Sequence, residues 1–255
     1  MPAEGAAVPI LTYHSIDESD SVISVSPAAF RAHMQSLRDH GFSVMALGRL
    51  LDAWDGRAEM PPRPVVLTFD DAYVNFATSA RPVLESHGFR ATVFAVAGRC
   101  GGWNDWPGQL AGLPHLPLLA AADLRDAGAA GFEIGSHGLT HAALDALSPA
   151  DAEREILDSR RRLEDAVGRP VELLAYPYGR ASAPVRAAAS AHYRAACGVA
   201  MARARASEDR HALPRIDAYY LRRPGWFRTL GTPLGSAYLA LRAAGRRLRS
   251  AARSS

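Results

Sequence analysis

The chain has 255 residues, of which 48% are hydrophobic, and a formal net charge of +3 in which every basic residue is an arginine. Such a chain can bury the core of one large α/β domain or of two small ones. It contains no run of 18 apolar residues, which argues against a transmembrane helix. Residues 1–10 lack the basic and apolar regions of a secretory signal, so a cytoplasmic protein is expected.

The positive charge is concentrated at the C-terminus. Residues 222–255 contain eight arginines and no acidic residue and therefore carry +8, which leaves 3 − 8 = −5 for the rest of the chain. A body with that charge is not expected to bind nucleic acid. We therefore divide the chain into a body, residues 1–221, which is expected to fold alone, and a basic tail, residues 222–255.

Strand-like and helical segments alternate along the body. In chain order, the predicted strands cover residues 9–12, 42–46, 65–69, 91–96, 132–136, 171–175, 195–199 and 213–216. The predicted helices cover residues 27–40, 47–54, 75–87, 118–127, 149–167 and 184–192, with Ser26 and Ser148 as N-caps. This alternation indicates parallel βαβ units, and seven or eight of them favour a barrel over an open sheet.

The longest irregular stretch is residues 98–117. It holds five Gly and three Pro together with Trp103 and Trp106. Long loops in compact domains are usually functional or disordered, and two tryptophans argue against disorder. Cys100 and Cys197 are the only cysteines, and their spacing predicts two free thiols, with a single disulfide as the alternative.

Side chains that can bind a metal follow two of the predicted strands. The run Val65-Val66-Leu67-Thr68-Phe69 ends in Asp70-Asp71, and the run Phe132-Glu133-Ile134-Gly135-Ser136 is followed by His137 and His141. One Asp and two His leave the fourth position of a catalytic zinc open for water, and the other Asp can act as a base. The alternatives are a helix N-cap for the carboxylates and an exposed pair of histidines.

Six candidate active-site residues directly follow predicted strands. In a barrel, the active site lies at the C-terminal ends of the strands. The residues that directly follow predicted strands are His14, Asp70, Asp71, His137, His141 and Tyr178. The turn Tyr176-Pro177-Tyr178-Gly179 could present a backbone N–H to an oxyanion, although a plain Pro-Gly turn is the alternative.

These runs carry a resemblance. Thr68-Phe69-Asp70-Asp71, His137-x-x-x-His141 and Tyr176-Pro177-Tyr178-Gly179, in this order, resemble the first three motifs of the polysaccharide deacetylase family, also called the NodB-homology domain or carbohydrate esterase family 4. The opening run Ile10-Leu11-Thr12-Tyr13-His14-Ser15-Ile16 resembles the subgroup that deacetylates poly-N-acetylglucosamine. The resemblance covers roughly residues 8–216 and implies an α/β fold, a distorted (β/α)7 barrel.

The resemblance also implies roles. Asp70 would be the general base, and a divalent metal, with zinc the expected ion, would be held by Asp71, His137 and His141. Cobalt, nickel and manganese suit the same ligands. The substrate would be an N-acetylated amino-sugar glycan or its precursor. The residues assigned to substrate binding are Tyr178, through its backbone N–H, Pro177, Arg215 and Trp106.

Two departures from the family pattern matter. Family members commonly have an Arg that orients the base at the position of Ala175, and a Leu-x-His run that supplies an acid where this chain has Leu213-Pro214-Arg215. We expect Arg215 to hold the Asp70 carboxylate from the other side and His14 to be the acid. A buried structural His is the alternative for His14, and His115 or His211 could replace it as the acid.

The departures and the tail leave alternatives open. A small or lipid-linked sugar could be deacetylated or deformylated instead, or the protein could be a sugar-binding module without turnover. In the tail, an apolar stripe of helical spacing is formed by Leu230, Leu234, Tyr238, Leu241, Gly245 and Leu248, with arginines mostly off it. Residues 228–253 could therefore contact an anionic membrane at its inner face, or dock on the barrel.

Overall fold

The protein is described here by a computed structural model that covers residues 7–109, 111–222, 225 and 227–253, with side chains described as far as residue 245. The strands are β1 (Ile10–Tyr13), β2 (Ser43–Met45), β3 (Pro64–Phe69), β4 (Thr92–Ala95), β5 (Glu133–Ser136), β6 (Leu173–Ala175), β7 (Ala195–Cys197) and β8 (Ile216–Asp217). The helices are α1 (Pro27–Asp39), α2 (Leu47–Trp54), α3 (Arg81–Ser86), α4 (Ala121–Ala129), α5 (Pro149–Val167), α6 (Ala183–His192) and α7 (Pro233–Arg253).

The strands form one parallel sheet that curls into a distorted barrel. Their order is β7-β6-β5-β4-β3-β1-β8, and β2 pairs with the first half of β3. The two ends of the sheet approach each other, because Cys197 in β7 forms a parallel bridge with Leu213, just before β8. The predicted barrel is therefore confirmed. Cys100 and Cys197 are free thiols, as predicted.

Strand β3 shows how the sequence separates the two apolar layers. Successive side chains of a strand point to opposite faces. Val65, Leu67 and Phe69 pack in the core that also holds the buried face of α1, whereas Val66 belongs to the second core on the concave side of the sheet. Continuing the alternation past Val66 brings Asp70 to the upper end of the concave side.

Most helices begin and end close to the predicted positions. Helices α2 and α5 have the predicted bounds, and Ser26 and Ser148 accept hydrogen bonds from the backbone N–H of Ala29 and Asp151 as N-caps. The helix predicted over 75–87 is instead a π-helical turn, Phe76–Ala80, followed by α3. Pro82 explains the break, since it has no N–H to continue an α-helical ladder.

The helix predicted over 118–127 begins later, at Ala121. Its expected first turn is extended, because Leu118 forms an antiparallel bridge with Tyr73 and the Leu119 N–H donates to the Ala72 carbonyl. The irregular stretch is thereby attached to the segment that follows β3. No helix in the described part of the chain is long and apolar enough to cross a membrane.

The beginning of the tail packs on the body. Phe227, Leu230 and Leu239 are buried in the same core as α1. The ring of Phe227 stacks on His33 of α1 with 3.9 Å between centroids. A chain that ends at Leu221 would lose these contacts, so the expectation that the body keeps its stability without the tail is not supported by the packing.

His33 links this packing to pH. The ring accepts or donates a hydrogen bond with the Tyr13 hydroxyl at 3.1 Å, and another bond joins it to the carbonyl of Leu221. Burial lowers the pKa of His33 from 6.5 to about 4. The unfolded chain therefore takes up the proton first, and the contribution of neutral His33 to stability is lost as pH falls from 6.5 towards 4.

We predict that His33→Gln reduces the loss of stability between pH 6.5 and pH 4, because glutamine can hydrogen bond but does not titrate in this range. Between pH 6.5 and pH 4, the free energy of unfolding of the variant should fall by less than that of the wild type, and the difference should be at most about 3 kcal/mol. Urea unfolding of both proteins across this range measures it, and the carboxylates common to both cancel in the comparison. Equal pH dependence in the two proteins would contradict the assignment.

Candidate active site

The C-terminal ends of the strands open into one cleft of about 500 Å³. The cleft is lined by all six strand-end residues predicted from the sequence, namely His14, Asp70, Asp71, His137, His141 and Tyr178, and also by Trp106 and Arg215. His115 and His211, the other candidates for an acid, are not among the described residues that line it.

Asp71, His137 and His141 form a group that fits a metal ion. Asp71 Oδ1 lies 3.5 Å from Nε2 of His137 and 3.3 Å from Nε2 of His141, and the three ligand atoms are within 4.8 Å of one another. All three side chains are buried, and Asp71 Oδ1 has no hydrogen-bond partner. A buried carboxylate oxygen without a partner is costly, and a cation between these three atoms would satisfy it.

His137 is oriented to ligate through Nε2. Its Nδ1 lies 2.7 Å from the carbonyl oxygen of Ala175, so the proton sits on Nδ1 and the lone pair of Nε2 faces Asp71. Burial lowers the pKa of His137 to about 4, which keeps the ring neutral at neutral pH. His141 is instead held by rings: it stacks on Trp106 at 4.2 Å and meets the edge of Tyr178 at 4.7 Å.

The turn between the two histidines is fixed by Glu155 of α5. Its buried carboxylate accepts hydrogen bonds from the backbone N–H groups of Leu139 and Thr140 at 2.9 and 3.0 Å and from the Thr140 hydroxyl at 2.7 Å. His141 itself has a left-handed φ of 65°. Glu155 therefore brings the second imidazole back towards Asp71, a role that the sequence did not reveal.

Two adjacent left-handed residues separate the roles of the paired carboxylates. Asp71 and Ala72 have φ of 67° and 56°, a conformation that costs free energy in residues other than glycine. The chain turns sharply there, so Asp70 points towards Arg215 while Asp71 faces the histidines. Neither carboxylate is an N-cap, because the next helical turn has Asn75 at that position.

Asp70 forms a two-pronged ion pair with Arg215. Both Nη atoms of Arg215 donate to the carboxylate at 2.7 Å, and Nε donates to the carbonyl oxygen of Gly198 at 3.1 Å. Both side chains are buried. Burial opposes ionisation of Asp70, but the guanidinium outweighs it and holds the pKa of this carboxyl below its usual range. The contact expected between Arg215 and Asp70 is thus present.

His14 stands on the open side of the same carboxylate. Its Nε2 lies 3.9 Å from Asp70 Oδ2, and 24% of its side chain is exposed. A fully buried structural histidine is therefore not what the structure shows. This exposure allows exchange of protons with solvent.

The third motif forms a tight turn at the rim. Tyr178 has φ of 58°, and hydrogen bonds from the N–H groups of the next two residues, Gly179 and Arg180, close the turn. The Tyr178 side chain is partly exposed in the cleft wall. Pro177, assigned to substrate binding from the sequence, is buried beneath the turn near Gly138 and is not among the lining residues.

Tyr73 and Asn104 form a layer of hydrogen-bonded side chains beside the candidate metal ligands. Tyr73 is buried and lines the cleft, and its hydroxyl accepts a hydrogen bond from Asn104 Nδ2 at 3.3 Å. Asn104 is fully buried and accepts the N–H of Leu116 at 2.7 Å. Burial, and then the nearby Asp71 carboxylate, raise the pKa of Tyr73 far above its usual value. Asn104 belongs to the irregular stretch of residues 98–117, so this stretch is connected through Tyr73 to the candidate metal ligand Asp71.

Comparison with known proteins identifies the family. The polysaccharide deacetylase profile matches residues 57–196. A putative polysaccharide deacetylase of Bacillus subtilis is 28% identical over 175 residues, which cover 69% of this chain and 58% of that protein. A poly-β-1,6-N-acetyl-D-glucosamine N-deacetylase of Escherichia coli is 29% identical over 100 residues, which cover 38% of this chain and 14% of that protein.

Solved structures agree with the fold. A Streptococcus pyogenes deacetylase solved with acetate superposes with a TM-score of 0.73 at 23% identity, covering 84% of this chain and 92% of that one. IcaB from Ammonifex degensii superposes with a TM-score of 0.72 at 20% identity, covering 91% of this chain and 98% of that one. The chain therefore belongs to the polysaccharide deacetylase family, which is metal-dependent.

We predict that His141→Ala lowers zinc occupancy strongly, because it removes one of three ligands. Tyr73→Phe should keep the ligands but weaken zinc binding by about 10-fold, the usual effect of losing a supporting group behind a ligand. His115→Ala, which changes a histidine outside the cleft, is the matched control and should bind like wild type. Metal analysis and competition with a chelator measure both effects, and full zinc occupancy in His141→Ala would refute the site.

Proposed function

We propose that the protein hydrolyses the N-acetyl group of an amino sugar in a glycan or glycan precursor and releases acetate and a free amine. One observation carries the proposal: an ionised carboxylate, Asp70, lies beside a three-ligand group with an unpartnered carboxylate oxygen in a single cleft. Family membership and the activity named for the Escherichia coli relative support the substrate class.

Asp71, His137 and His141 would hold the divalent metal, and their mixed oxygen and nitrogen donors fit zinc with a position left open. A metal bound there would polarise the acyl oxygen and make water a stronger nucleophile. The neutral state of His137, which burial favours, keeps its Nε2 lone pair available as a ligand at neutral pH.

Asp70 is the general base in this proposal. It accepts a proton from water as the water oxygen attacks the acyl carbon. Arg215 keeps Asp70 ionised and fixes both of its oxygens, so the carboxylate cannot rotate away from the cleft. The backbone N–H of Tyr178, in the left-handed turn at the rim, would donate to the oxyanion that develops.

His14 is the general acid. Its position beside Asp70 lets it protonate the sugar nitrogen as the C–N bond breaks, after which acetate retains the water oxygen. Its partial exposure allows the ring to be reprotonated from solvent before the next turnover.

The charge of the cleft favours a sugar without a nearby phosphate. Its acidic lining residues are Asp70, Asp71 and Asp217, and the one arginine among the described lining residues, Arg215, already binds Asp70. A diphosphate close to the acetamido group would meet no further arginine there. Deacetylation of a neutral glycan therefore has more support than the alternative of a lipid-linked sugar that carries a phosphate near its acetamido group.

The alternative of a binding module without turnover rested on Ala175 and Arg215. The structure weakens that argument, because Arg215 supplies to Asp70 the guanidinium that Ala175 cannot. Arg215 thus offsets the loss at Ala175, and the acid that is missing at position 215 is assigned to His14.

We predict that Asp70→Asn abolishes acetate release from N-acetylglucosamine oligomers while zinc occupancy is retained, since an amide of the same shape cannot accept the proton. The loss should be ~100-fold or more. Acetate release and metal analysis on the same samples measure both properties. Wild-type activity in the variant would exclude Asp70 as the base; inactive wild-type protein on every acetylated sugar tested would favour the binding module.

We predict that Arg215→Met moves the acidic limb of the kcat/KM profile to higher pH. Without the guanidinium, the largest influence that opposes burial is lost and only the weaker one of His137 and His14 remains, so the pKa of Asp70 rises and the base is ionised only at higher pH. Arg215→Lys keeps a positive charge and should shift the limb less. An unchanged limb in a folded Arg215→Met protein would show that the pair does not set the ionisation of the base.

We predict that His14→Ala lowers kcat on N-acetyl sugars but has much less effect on p-nitrophenyl acetate. The phenolate of that ester leaves without a proton, whereas the sugar amine needs one. His211→Ala, outside the cleft, is the control. Equal losses on both substrates would mean that His14 is not the acid.

A further inference from the structure

Helix α7 has two apolar faces. Leu239 is buried against the body, and Tyr238 and Ala243 are half-buried beside it. On the other side, Leu234 and Leu241 are 62% and 74% exposed, the two most exposed large apolar side chains among the described residues. Leucines seven positions apart lie on one face of an α-helix.

The outward stripe, which we define as Leu234, Ala237, Leu241 and Ala244, is exposed along its whole length. At 100° per residue its members lie within about 80° of one another. The stripe predicted from spacing alone included Leu230, which is instead buried. The predicted position Leu248 and the side chains of Arg246, Arg247, Arg249 and Arg253 lie outside the described residues.

The surroundings of the stripe are cationic. The tail carries eight arginines and no acidic residue. Arg222 pairs with Asp20 of the body, whereas Arg242 contacts aromatic rings, lying over Tyr238 and Tyr220 at 5.3 and 5.4 Å. An apolar stripe on a segment with eight arginines and no acidic residue matches the interface of an anionic bilayer, where leucines enter the acyl boundary and arginines meet headgroups.

We propose that the outward stripe of α7 binds the protein to the surface of an anionic membrane. A second copy of the chain fits less well, because two tails of +8 would repel each other. Nucleic acid would engage the arginines but leave the leucines exposed. The proposal is independent of the deacetylase reaction, since the stripe lies outside the described lining of the cleft.

The test uses the full chain and two kinds of vesicle, one of phosphatidylglycerol and phosphatidylcholine in equal parts and one of phosphatidylcholine alone. Wild-type protein should float with the anionic vesicles, and binding should fall at least ~10-fold between 0.1 M and 1 M salt as the screening length shrinks from about 10 Å to about 3 Å. The neutral vesicles should bind little.

Two double variants separate the apolar and charged contributions. Leu234→Ser with Leu241→Ser should weaken binding roughly 10-fold, and Arg246→Gln with Arg249→Gln should weaken it at low salt. Arg161→Gln with Arg162→Gln, an equal charge change at exposed positions of α5, is the control and should bind like wild type. Because both leucines are exposed, thermal melting and acetate release should be unchanged.

Three results would overturn the proposal. The first is full-length protein that does not float with anionic vesicles at low salt. The second is binding that depends on the tail arginines but not on the leucines, which indicates a general polyanion such as nucleic acid. The third is a dimer in solution that the leucine double variant dissociates without lipid, which assigns the stripe to a second copy.

Discussion

The architecture of the site depends on bringing Asp71, His137 and His141 within 4.8 Å of one another. Asp71 follows β3 and the histidines follow β5, yet β4 lies between these strands. Neighbouring strands are about 4.8 Å apart, so a flat sheet would hold the two strand ends about 10 Å apart. The curl of the sheet, the left-handed turn at Asp71 and the anchoring of the histidine turn by Glu155 together close that gap.

A second constraint comes from placing two ionised carboxylates next to each other in a buried site. Each needs a different cation, because an unpaired buried charge is strongly destabilising. Asp70 has the guanidinium of Arg215, and Asp71 has two imidazoles with room for an ion. The strained backbone between them keeps the two electrostatic environments apart, as the proposed roles of base and metal ligand for two neighbours in sequence require.

The sequence was most informative where short-range chemistry decides the structure. The apolar strand β3, the serine caps of α1 and α5, and the polar residues at strand ends follow local rules, and these features were predicted. Glu155 was not, because on its helix it resembles any solvated acidic residue until the histidine turn packs on it. The helical spacing of the tail was predicted, but the face that docks on the body depends on tertiary contacts. Leu230 and Leu234 were assigned to one stripe, yet Leu230 is buried and Leu234 is exposed.

The position of Arg215 late in the sequence has a consequence for the order in which the site forms during synthesis. The partners in its ion pair with Asp70 are 145 residues apart, whereas the three candidate ligands all occur by residue 141. A growing chain therefore contains the three candidate ligands, and later Glu155 and Ala175 that position the histidines, before it contains the guanidinium that pairs with Asp70. Long-range contacts of this kind form late, so hydrolytic competence should arise only when the last strand, carried by the same segment as Arg215, joins β1 and completes the ring. A chain that ends before residue 215 would lack the buried guanidinium that pairs with both oxygens of Asp70.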